Sequence, residues 1–389
     1  MIQVMENTSA YNIIFLLALA GEFPMSGLDI IGNRKMLLRR IDDMLQPQDY
    51  KNPDTGQEIK SLTVLLKCGK GEMKRLRLSK RAYPILEWIG MKDYYDQRYG
   101  KMPMRGNESH VERNCRVAEV MAMMMMAGLN PELNLVQNKK LYPGYIDIKT
   151  TLQNNIGSSS EVGKQKVGFT RVIGAFATGN MFVPIYNTRN KRMVWKGNAE
   201  SKLKNSCSTF AKRYCGTDEI EQVILFGSSY QVGVEMVNNK EFVAVEDRRK
   251  TTPTTCFGNL YNKITFVPLD QFGVRLLRLL LCDNYVERAT RLVFPQYQKN
   301  QRMDVFEYDG YVDGEYILLF FDSELNSLTR FYNEMLRRTS DTARIICYRE
   351  QLDFLRQLFS GTNIRVKFST VEIDEIEAKI LNTNGGVTN

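Results

Sequence analysis

Two groups of charged residues in this chain resemble a magnesium site that cleaves nucleic acid. Such a site needs two carboxylates, which bind the metal, and a lysine, which positions water or stabilises charge. In the first group Glu132 follows Pro131, and Asp147 and Lys149 stand two residues apart on a predicted strand. Because 25% of the residues are charged, this spacing arises readily by chance and does not by itself identify a site.

The second group lies on better-placed predicted elements. Asp304 stands on one predicted strand, Asp322 ends the next, and Glu324 opens the helix that follows. Phe320 and Phe321 precede Asp322 at the strand end where a PD-(D/E)xK nuclease has an acid, any residue and a lysine, so the lysine is missing. We therefore expect the carboxylates of this group to cap elements of a structural core, and we expect no catalysis. Asp304 and Asp322 become catalytic candidates, with Mg²⁺ as cofactor, only if the chain is a nuclease.

The single histidine, His110, argues against several classes of enzyme. One histidine cannot form the paired-histidine metal site of many DNA-nicking relaxases, and Ser-His-Asp hydrolysis and histidine-cluster metal sites are equally disfavoured. His110 and Arg113, with Tyr142 and Tyr145, superficially resemble a tyrosine recombinase motif, but that motif belongs to an all-helical domain and strands follow here. Seven cysteines without a CxxC spacing fit neither a disulfide framework nor a zinc ribbon, so we expect no metal site.

Positive charge is concentrated in one segment. The chain has a net charge of +9, and its first 32 residues contain no lysine or arginine. Residues 33–117 contain 19 Lys and Arg against 11 Asp and Glu, an excess of 8. A local excess of this kind favours binding to phosphates, because each neutralised phosphate releases condensed counterions.

The N-terminal segment has the pattern of a helix-turn-helix. Residues 9–22 are predicted to form an apolar helix. Ser26 is placed to cap a second, short helix that Gly32 ends, and Asn33 to cap a third helix that runs to about Leu45. Within the third helix one face is apolar and the opposite face is mostly basic. The opposite face consists of Lys35, Met36, Arg39, Arg40 and Asp43.

A β-hairpin is predicted to follow these helices. Residues 62–68 and 73–78 have the composition of strands, and a glycine-containing turn with Lys70 joins them. Alternation along the second strand puts Arg75 and Arg77 on the outer side. A hairpin after a helix-turn-helix, closed by a helix from Ser79, is typical of a winged helix. The predicted DNA-binding residues are Lys35, Arg39, Arg40, Lys70, Arg75 and Arg77.

The remainder of the chain is predicted to form a separate α/β domain. Residues 1–92 are the winged helix, and 93–130 are a connector containing a capped helix from Ser109 to Ala127. Residues 131–381 begin with strands and then alternate strands with helices, and no internal repeat is visible. The alternation is clearest over residues 304–368, where it favours a mostly parallel sheet with helices packed on it. Residues 382–389 have the composition of a disordered tail. The fold class is thus α+β.

No stretch has the pattern of a membrane span or a signal peptide. The only long apolar run near the start, residues 13–20, is eight residues long, whereas a span needs about 20. We therefore expect a cytoplasmic protein that does not contact a membrane.

Several short motifs resemble the replication-relaxation family, which is found on plasmids and conjugative elements of Gram-positive bacteria. The motifs are residues 76–82 (LRLSKRA), 108–113 (ESHVER), 302–304 (RMD), 314–322 (GEYILLFFD) and the helix over 328–336. The resemblance implies a winged helix joined to a restriction-endonuclease-like domain. Met303 stands where a proline is expected and Phe320 where an acid is expected, so the resemblance implies a degenerate nuclease domain.

These observations together predict a double-stranded-DNA-binding protein of a plasmid or other mobile element. It would recognise a replication or transfer-origin site without catalysis, with a replication or relaxase protein or a second protomer as possible partners. Two alternatives stay open: a metal-dependent nuclease of the PD-(D/E)xK type, and a transcriptional regulator whose C-terminal domain senses a ligand.

Overall fold

The computed structural model describes two compact units of a mixed α+β protein. The described residues are 1–99, 108–129, 136–137, 140–141, 144–146, 172–177, 182–190, 197–217, 219–237, 260–295 and 308–382. Unit 1 consists of Met1–Pro131 with Leu269–Gln271, and unit 2 of Glu132–Pro268 with Phe272–Asn389.

Unit 1 combines short helices with two small sheets. Its helices are α1 (Ser9–Ala20), α2 (Leu28–Ile31), α3 (Arg34–Met44), α4 (Tyr83–Trp88), α5 (Lys92–Tyr99) and α6 (Glu108–Met126). Its strands are β1 (Ile2–Gln3), β2 (Glu22–Pro24), β3 (Gln48–Lys51), β4 (Glu58–Leu62), β5 (Leu65–Cys68) and β6 (Arg75–Leu78).

Local capping signals set the start of α3 and of the turn before α4 in unit 1. Asn33 Oδ1 accepts the backbone N–H groups of Lys35 and Met36, which confirms the predicted cap of α3. Ser79 Oγ likewise accepts the N–H of Arg81 in the turn that leads into α4. The prediction that Ser26 caps α2 was wrong, because a 3₁₀ turn runs directly into this helix and no side chain caps it.

The first helix ends earlier than the sequence predicted. Gly21 takes up a φ of 75°, and its N–H donates to the carbonyl of Leu17 to close the helix after Ala20. Glu22 therefore leaves the helix and begins β2, a strand that the sequence analysis did not predict.

Strand β2 joins the predicted hairpin to form a three-stranded antiparallel sheet in the order β2-β6-β5. The strand predicted over residues 62–68 proved to be two strands, since Leu62 ends β4 and β5 begins at Leu65. β4 pairs with β3 in a separate sheet of order β1-β3-β4, which is inserted between α3 and the hairpin. We call β5, β6 and the turn between them the hairpin.

Helix α6 is part of unit 1 and not of a connector. Its apolar residues face α1, α2 and β2, and they are buried around almost the whole helix circumference in its second half. The buried apolar residues are Val111, Cys115, Ala118, Val120, Met121, Ala122, Met123 and Met124, and Glu119 is buried among them. The second half of the helix is apolar on nearly every side, as in a core helix, so the capped helix that was predicted within the connector packs in the core of this unit.

Unit 2 contains two larger sheets and a small hairpin. Its strands are β7 (Val136–Gln137), β8 (Lys140–Leu141), β9 (Gly144–Ile146), β10 (Val172–Ala177), β11 (Phe182–Asn187), β12 (Gln222–Gly227), β13 (Lys263–Pro268), β14 (Gly310–Val312), β15 (Glu315–Leu319), β16 (Thr342–Tyr348) and β17 (Arg365–Val371). Its helices are α7 (Gly197–Cys215), α8 (Tyr230–Val237), α9 (Gln271–Leu280), α10 (Tyr285–Val293), α11 (Leu325–Arg337), α12 (Leu352–Phe359) and α13 (Ile373–Asn382).

The two sheets of unit 2 repeat one topology. In the first, of order β13-β12-β11-β10-β9, β10 runs antiparallel to β11, while β11, β12 and β13 are parallel and joined through α7 and α8. In the second, of order β14-β15-β16-β17, β14 runs antiparallel to β15, while β15, β16 and β17 are parallel and joined through α11 and α12. Strands β15, β16 and β17 thus confirm the mostly parallel sheet predicted for the last part of the chain, but the strands of unit 2 are divided between two sheets.

One hydrophobic core serves both sheets of unit 2. Phe266 of β13, Phe320 and Phe354 of α12 belong to the same buried cluster. The backbone N–H of Phe266 also donates to the carbonyl of Ser323, so the first sheet is bonded to the segment that follows β15.

None of the described helices combines the length and apolarity needed to cross a membrane. Of the predicted tail, Asn382 ends α13, and residues 383–389 lie outside the described part of the chain.

Candidate nucleic-acid interface

The outer face of α3 carries the exposed cations that the sequence predicted. Leu37, Ile41 and Met44 are buried on the inner face, whereas Lys35 and Arg39 are exposed. Within the described part of the chain neither Lys35 nor Arg39 forms an ion pair. Both charges are thus available to a ligand.

The other two arginines of α3 have partners on the protein. Arg40 is half-buried and its guanidinium lies 3.7 Å from the carboxylate of Asp43, one turn along the helix. Arg34 donates to Asp29 at 2.9 Å. Both pairs are partly exposed and contribute little to stability, so Arg40 is a weaker candidate for an external contact than Arg39.

The two arginines predicted for the outer side of the hairpin are engaged inside unit 1. The side chains of Arg75 and Arg77 are 13% and 12% exposed, and both contact the buried carboxylate of Glu22. Arg75 Nε donates to Glu22 Oε2 at 2.5 Å, and Arg77 Nε and Nη2 donate to the same oxygen at 3.0 and 2.9 Å. The alternation along β6 was predicted correctly, but the side opposite Leu76 and Leu78 is covered and does not face solvent.

Glu22 also bonds α6 to this cluster. Its second oxygen, Oε1, accepts the side-chain amide of Asn114 at 3.1 Å. In the β2–β6 register Glu22 lies directly opposite Arg77. One carboxylate therefore joins the start of β2, strand β6 of the hairpin and α6.

The exposed cations of the hairpin are lysines and not the two predicted arginines. Lys67 on β5, Lys70 in the turn and Lys74 just before β6 are exposed, and within the described residues none of the three forms an ion pair. Lys70 was predicted, whereas Lys67 and Lys74 were missed. Leu66 beside Lys67 is also exposed, so two consecutive residues of β5 face solvent and simple alternation fails there.

A lysine that the sequence analysis did not find lies beside Asp322. Asp322 is 9% exposed, and its Oδ2 atom lies 2.8 Å from Nζ of Lys263 at the start of β13. The two residues are 59 positions apart, so no short motif contains both. Asp304, the predicted companion of Asp322, lies outside the described residues.

Glu324 is the cap of α11, as the sequence predicted. Its Oε1 atom accepts the N–H groups of Ile264 and Asn326 at 2.7 and 2.9 Å, and its Oε2 atom accepts the N–H of Ser327 at 2.6 Å. Burial raises the pKa of the Glu324 carboxyl. Because three backbone donors occupy its oxygens, this carboxylate serves the fold at the position where a metal ligand would be needed.

Within the described ranges no group of three or more His, Cys, Asp or Glu is arranged to hold a metal ion. Glu132, Asp147 and Lys149 lie outside those ranges, as does Tyr142. His110 and Arg113 stand on α6 and Tyr145 on β9, so a helix and a strand carry the supposed recombinase residues.

A buried polar network lies next to Asp322 and was also missed by the sequence analysis. Ser323 Oγ is 2.7 Å from the hydroxyl of Tyr230 and accepts from Nε2 of Gln351 at 2.7 Å. Gln351 in turn accepts the N–H of Tyr348, whose hydroxyl lies 2.6 Å from that of Tyr285. Burial raises the pKa of both tyrosines. These groups satisfy one another's hydrogen-bonding capacity, which indicates a structural role.

Comparisons of the chain with protein-family models, with curated proteins and with solved structures give no significant match. The resemblance to the replication-relaxation family therefore stays a prediction.

Proposed function

We propose that unit 1 is a winged helix that binds double-stranded DNA. The observation that carries this proposal is the order of elements α1-β2-α2-α3 and then, after the inserted strands β3 and β4, the hairpin, with β2 pairing with the second hairpin strand. A winged helix has this order: a short strand after its first helix joins the two wing strands, and its third helix enters the major groove.

The charge on α3 supports its role as the recognition helix. Lys35 and Arg39 project from its outer face without ion-pair partners in the described part of the chain. An excess of positive charge on a protein surface attracts DNA of any sequence. An arginine on a helix in the major groove adds specificity, because its two parallel N–H groups match O6 and N7 of guanine.

The hairpin would contact the phosphate backbone through Lys67, Lys70 and Lys74. Lysine is a point charge that positions a protein on DNA without reading sequence. This replaces the expectation for Arg75 and Arg77, whose guanidinium groups are bonded to Glu22.

The resemblance to the replication-relaxation family extends the proposal to the biological setting. On that basis the DNA is a replication or transfer-origin site of a plasmid or other mobile element. Unit 2 would then bind a replication or relaxase protein, a second copy of the chain or further DNA.

Salt-titrated binding of the full-length protein tests the proposal. Enrichment from a random duplex library would supply a preferred sequence, and its affinity would be compared with that of a scrambled duplex. Arg39→Ala should weaken binding to the preferred duplex by about 1–3 kcal/mol, and it should weaken binding to the scrambled duplex less. Arg291→Ala, an exposed arginine on α10 of unit 2, is the matched control. Absence of any salt-dependent binding would refute the proposal.

The nuclease alternative is retained because Lys263 lies beside Asp322. We expect no Mg²⁺-dependent cleavage, since the carboxylate of Glu324 is occupied by three backbone donors. Supercoiled and linear plasmid DNA incubated with Mg²⁺ or Mn²⁺ would test this. Cleavage that Asp322→Ala and Lys263→Ala both abolish, while Asp353→Ala on α12 leaves it intact, would establish the nuclease instead.

A further inference from the structure

The outer face of α3 carries an apolar side chain among its cations. Met36 is 70% exposed, the largest fraction among the exposed large apolar residues of the described chain. It lies one turn before Arg39 and Arg40 and directly follows Lys35. Single exposed apolar residues are common on protein surfaces, but this one stands at the centre of a basic helix face.

The helix itself does not use the Met36 side chain. The inner face of α3 is completed by Leu37, Ile41 and Met44, and the backbone N–H of Met36 donates to Oδ1 of Asn33. In a helix, residues three and four positions apart are neighbours on the surface. Met36 therefore shares its patch with Arg39 and Arg40, and any ligand bound by Arg39 also covers Met36.

We propose that Met36 reads the C5 methyl group of a thymine in the major groove. This inference rests on the proposed function, because it requires α3 to lie in that groove. Thymine is the one DNA base that presents a methyl group there, and apolar side chains contact it. Arg39 beside it would bind a guanine, so the recognised site contains a thymine close to a guanine.

Methionine suits this contact because its unbranched side chain adapts to an irregular surface. Burying one methyl-sized group is worth about 0.8 kcal/mol, which corresponds to about a fourfold change in affinity. The effect is small enough to leave binding intact and large enough to measure.

Replacing thymine by uracil removes only the methyl group and so tests the contact directly. The full-length protein would first enrich its preferred duplex from a random library. Each thymine of that duplex would then be replaced by uracil, one at a time. We expect one or two replacements to weaken binding of the natural protein by about fourfold, and Met36→Ala to bind the thymine and uracil duplexes equally.

The control variants separate this contact from general effects. Met36→Leu should keep a preference for thymine, and Leu292→Ala, an exposed apolar residue of α10, should behave as the natural protein does. Thermal melting would verify that each variant is folded. Equal affinity of the natural protein for all uracil duplexes would overturn the inference, as would a uracil penalty that survives in Met36→Ala. Failure to enrich any sequence would instead refute the proposed function on which the inference rests.

Discussion

At the scale of single residues, Glu22 is a buried carboxylate of unit 1. It is 3% exposed and accepts hydrogen bonds from two arginines and an asparagine. A buried ion pair adds little net stability against an apolar replacement, but removal of one partner leaves an uncompensated buried charge. The cluster therefore fixes the geometry of the hairpin more than it raises the overall stability.

Glu22→Gln should destabilise unit 1 by about 3–5 kcal/mol, because Arg75 and Arg77 would lose the charge that balances them. Urea unfolding followed by circular dichroism would measure the shift of the corresponding transition. Glu72→Gln, at an exposed position of the hairpin turn, should leave the midpoint unchanged. An unaltered midpoint for Glu22→Gln would contradict this account of the cluster.

At the scale of elements, the turn of the hairpin contains two glycines that differ in the space around them. Gly69 has a φ of +78°, and a Cβ atom at this position would collide with the carbonyl oxygen of Met73. Gly71 has a φ of +55°, but a Cβ atom there would meet no atom within 4 Å. Both positions favour glycine by conformation, and only Gly69 is also restricted by space.

Gly69→Ala should therefore destabilise unit 1 more than Gly71→Ala does, by about 1–3 kcal/mol beyond the conformational cost that both share. The larger distortion should also displace Lys70 and weaken DNA binding. Parallel unfolding and binding titrations of the two variants would check both effects. Equal losses in the two variants would mean that the turn adapts to a side chain at Gly69.

The hairpin lysines should act as a group on binding to any duplex. Replacing Lys67, Lys70 and Lys74 by alanine should weaken binding to preferred and scrambled duplexes alike. It should also lower the slope of log affinity against log salt by roughly 0.9 for each phosphate that the protein no longer neutralises. Binding isotherms at several salt concentrations would give the slope, with Lys92→Ala as the control within the same unit. A weakening confined to the preferred duplex would assign base recognition to the hairpin.

At the scale of the whole molecule, unit 2 combines two sheets in one core. Cys207 of α7 packs with the first sheet and Cys347 of β16 belongs to the second, and both are fully buried in the shared cluster. Burial raises the pKa of each thiol to about 12. Since the thiolate is the reactive form, both cysteines should be inert at pH 8 while unit 2 is folded.

Iodoacetamide labelling at pH 8 across a urea gradient should therefore modify Cys207 and Cys347 together, in one transition. A raised pKa keeps each thiol protonated up to about pH 12 in the folded state, and unfolding restores the ordinary pKa and exposes the sulfur. Peptide mapping by mass spectrometry would follow each site, with the partly exposed Cys68 of unit 1 as an internal reference. Labelling of the two cysteines at well-separated urea concentrations would show that the sheets unfold independently.

The features that the sequence predicted correctly are determined by neighbours along the chain. The caps Asn33, Ser79 and Glu324 each accept a backbone N–H from a residue two or three positions away, so a short window of sequence contains the capping bond itself. The combination of strands and helices in unit 2 was likewise predicted, because apolar periodicity and length are local signals.

The features that were missed depend on residues far apart in the sequence. Glu22 meets Arg75 and Arg77 across more than fifty residues, which turned two expected phosphate contacts into buried partners. Lys263 reaches Asp322 only because β13 lies against the segment after β15. The division of unit 2 into two sheets has the same origin, since strand pairing between distant segments leaves no local trace.

The bond between Glu22 and Asn114 has a mechanical consequence. α6 is the last described helix of unit 1, and the chain passes from it into unit 2 at Glu132. Tension applied to α6 acts on Asn114, which transmits it to the carboxylate that holds Arg75 and Arg77 of β6. A load on α6 therefore reaches the hairpin through one side-chain hydrogen bond, in addition to the packing of α6 against α1, α2 and β2.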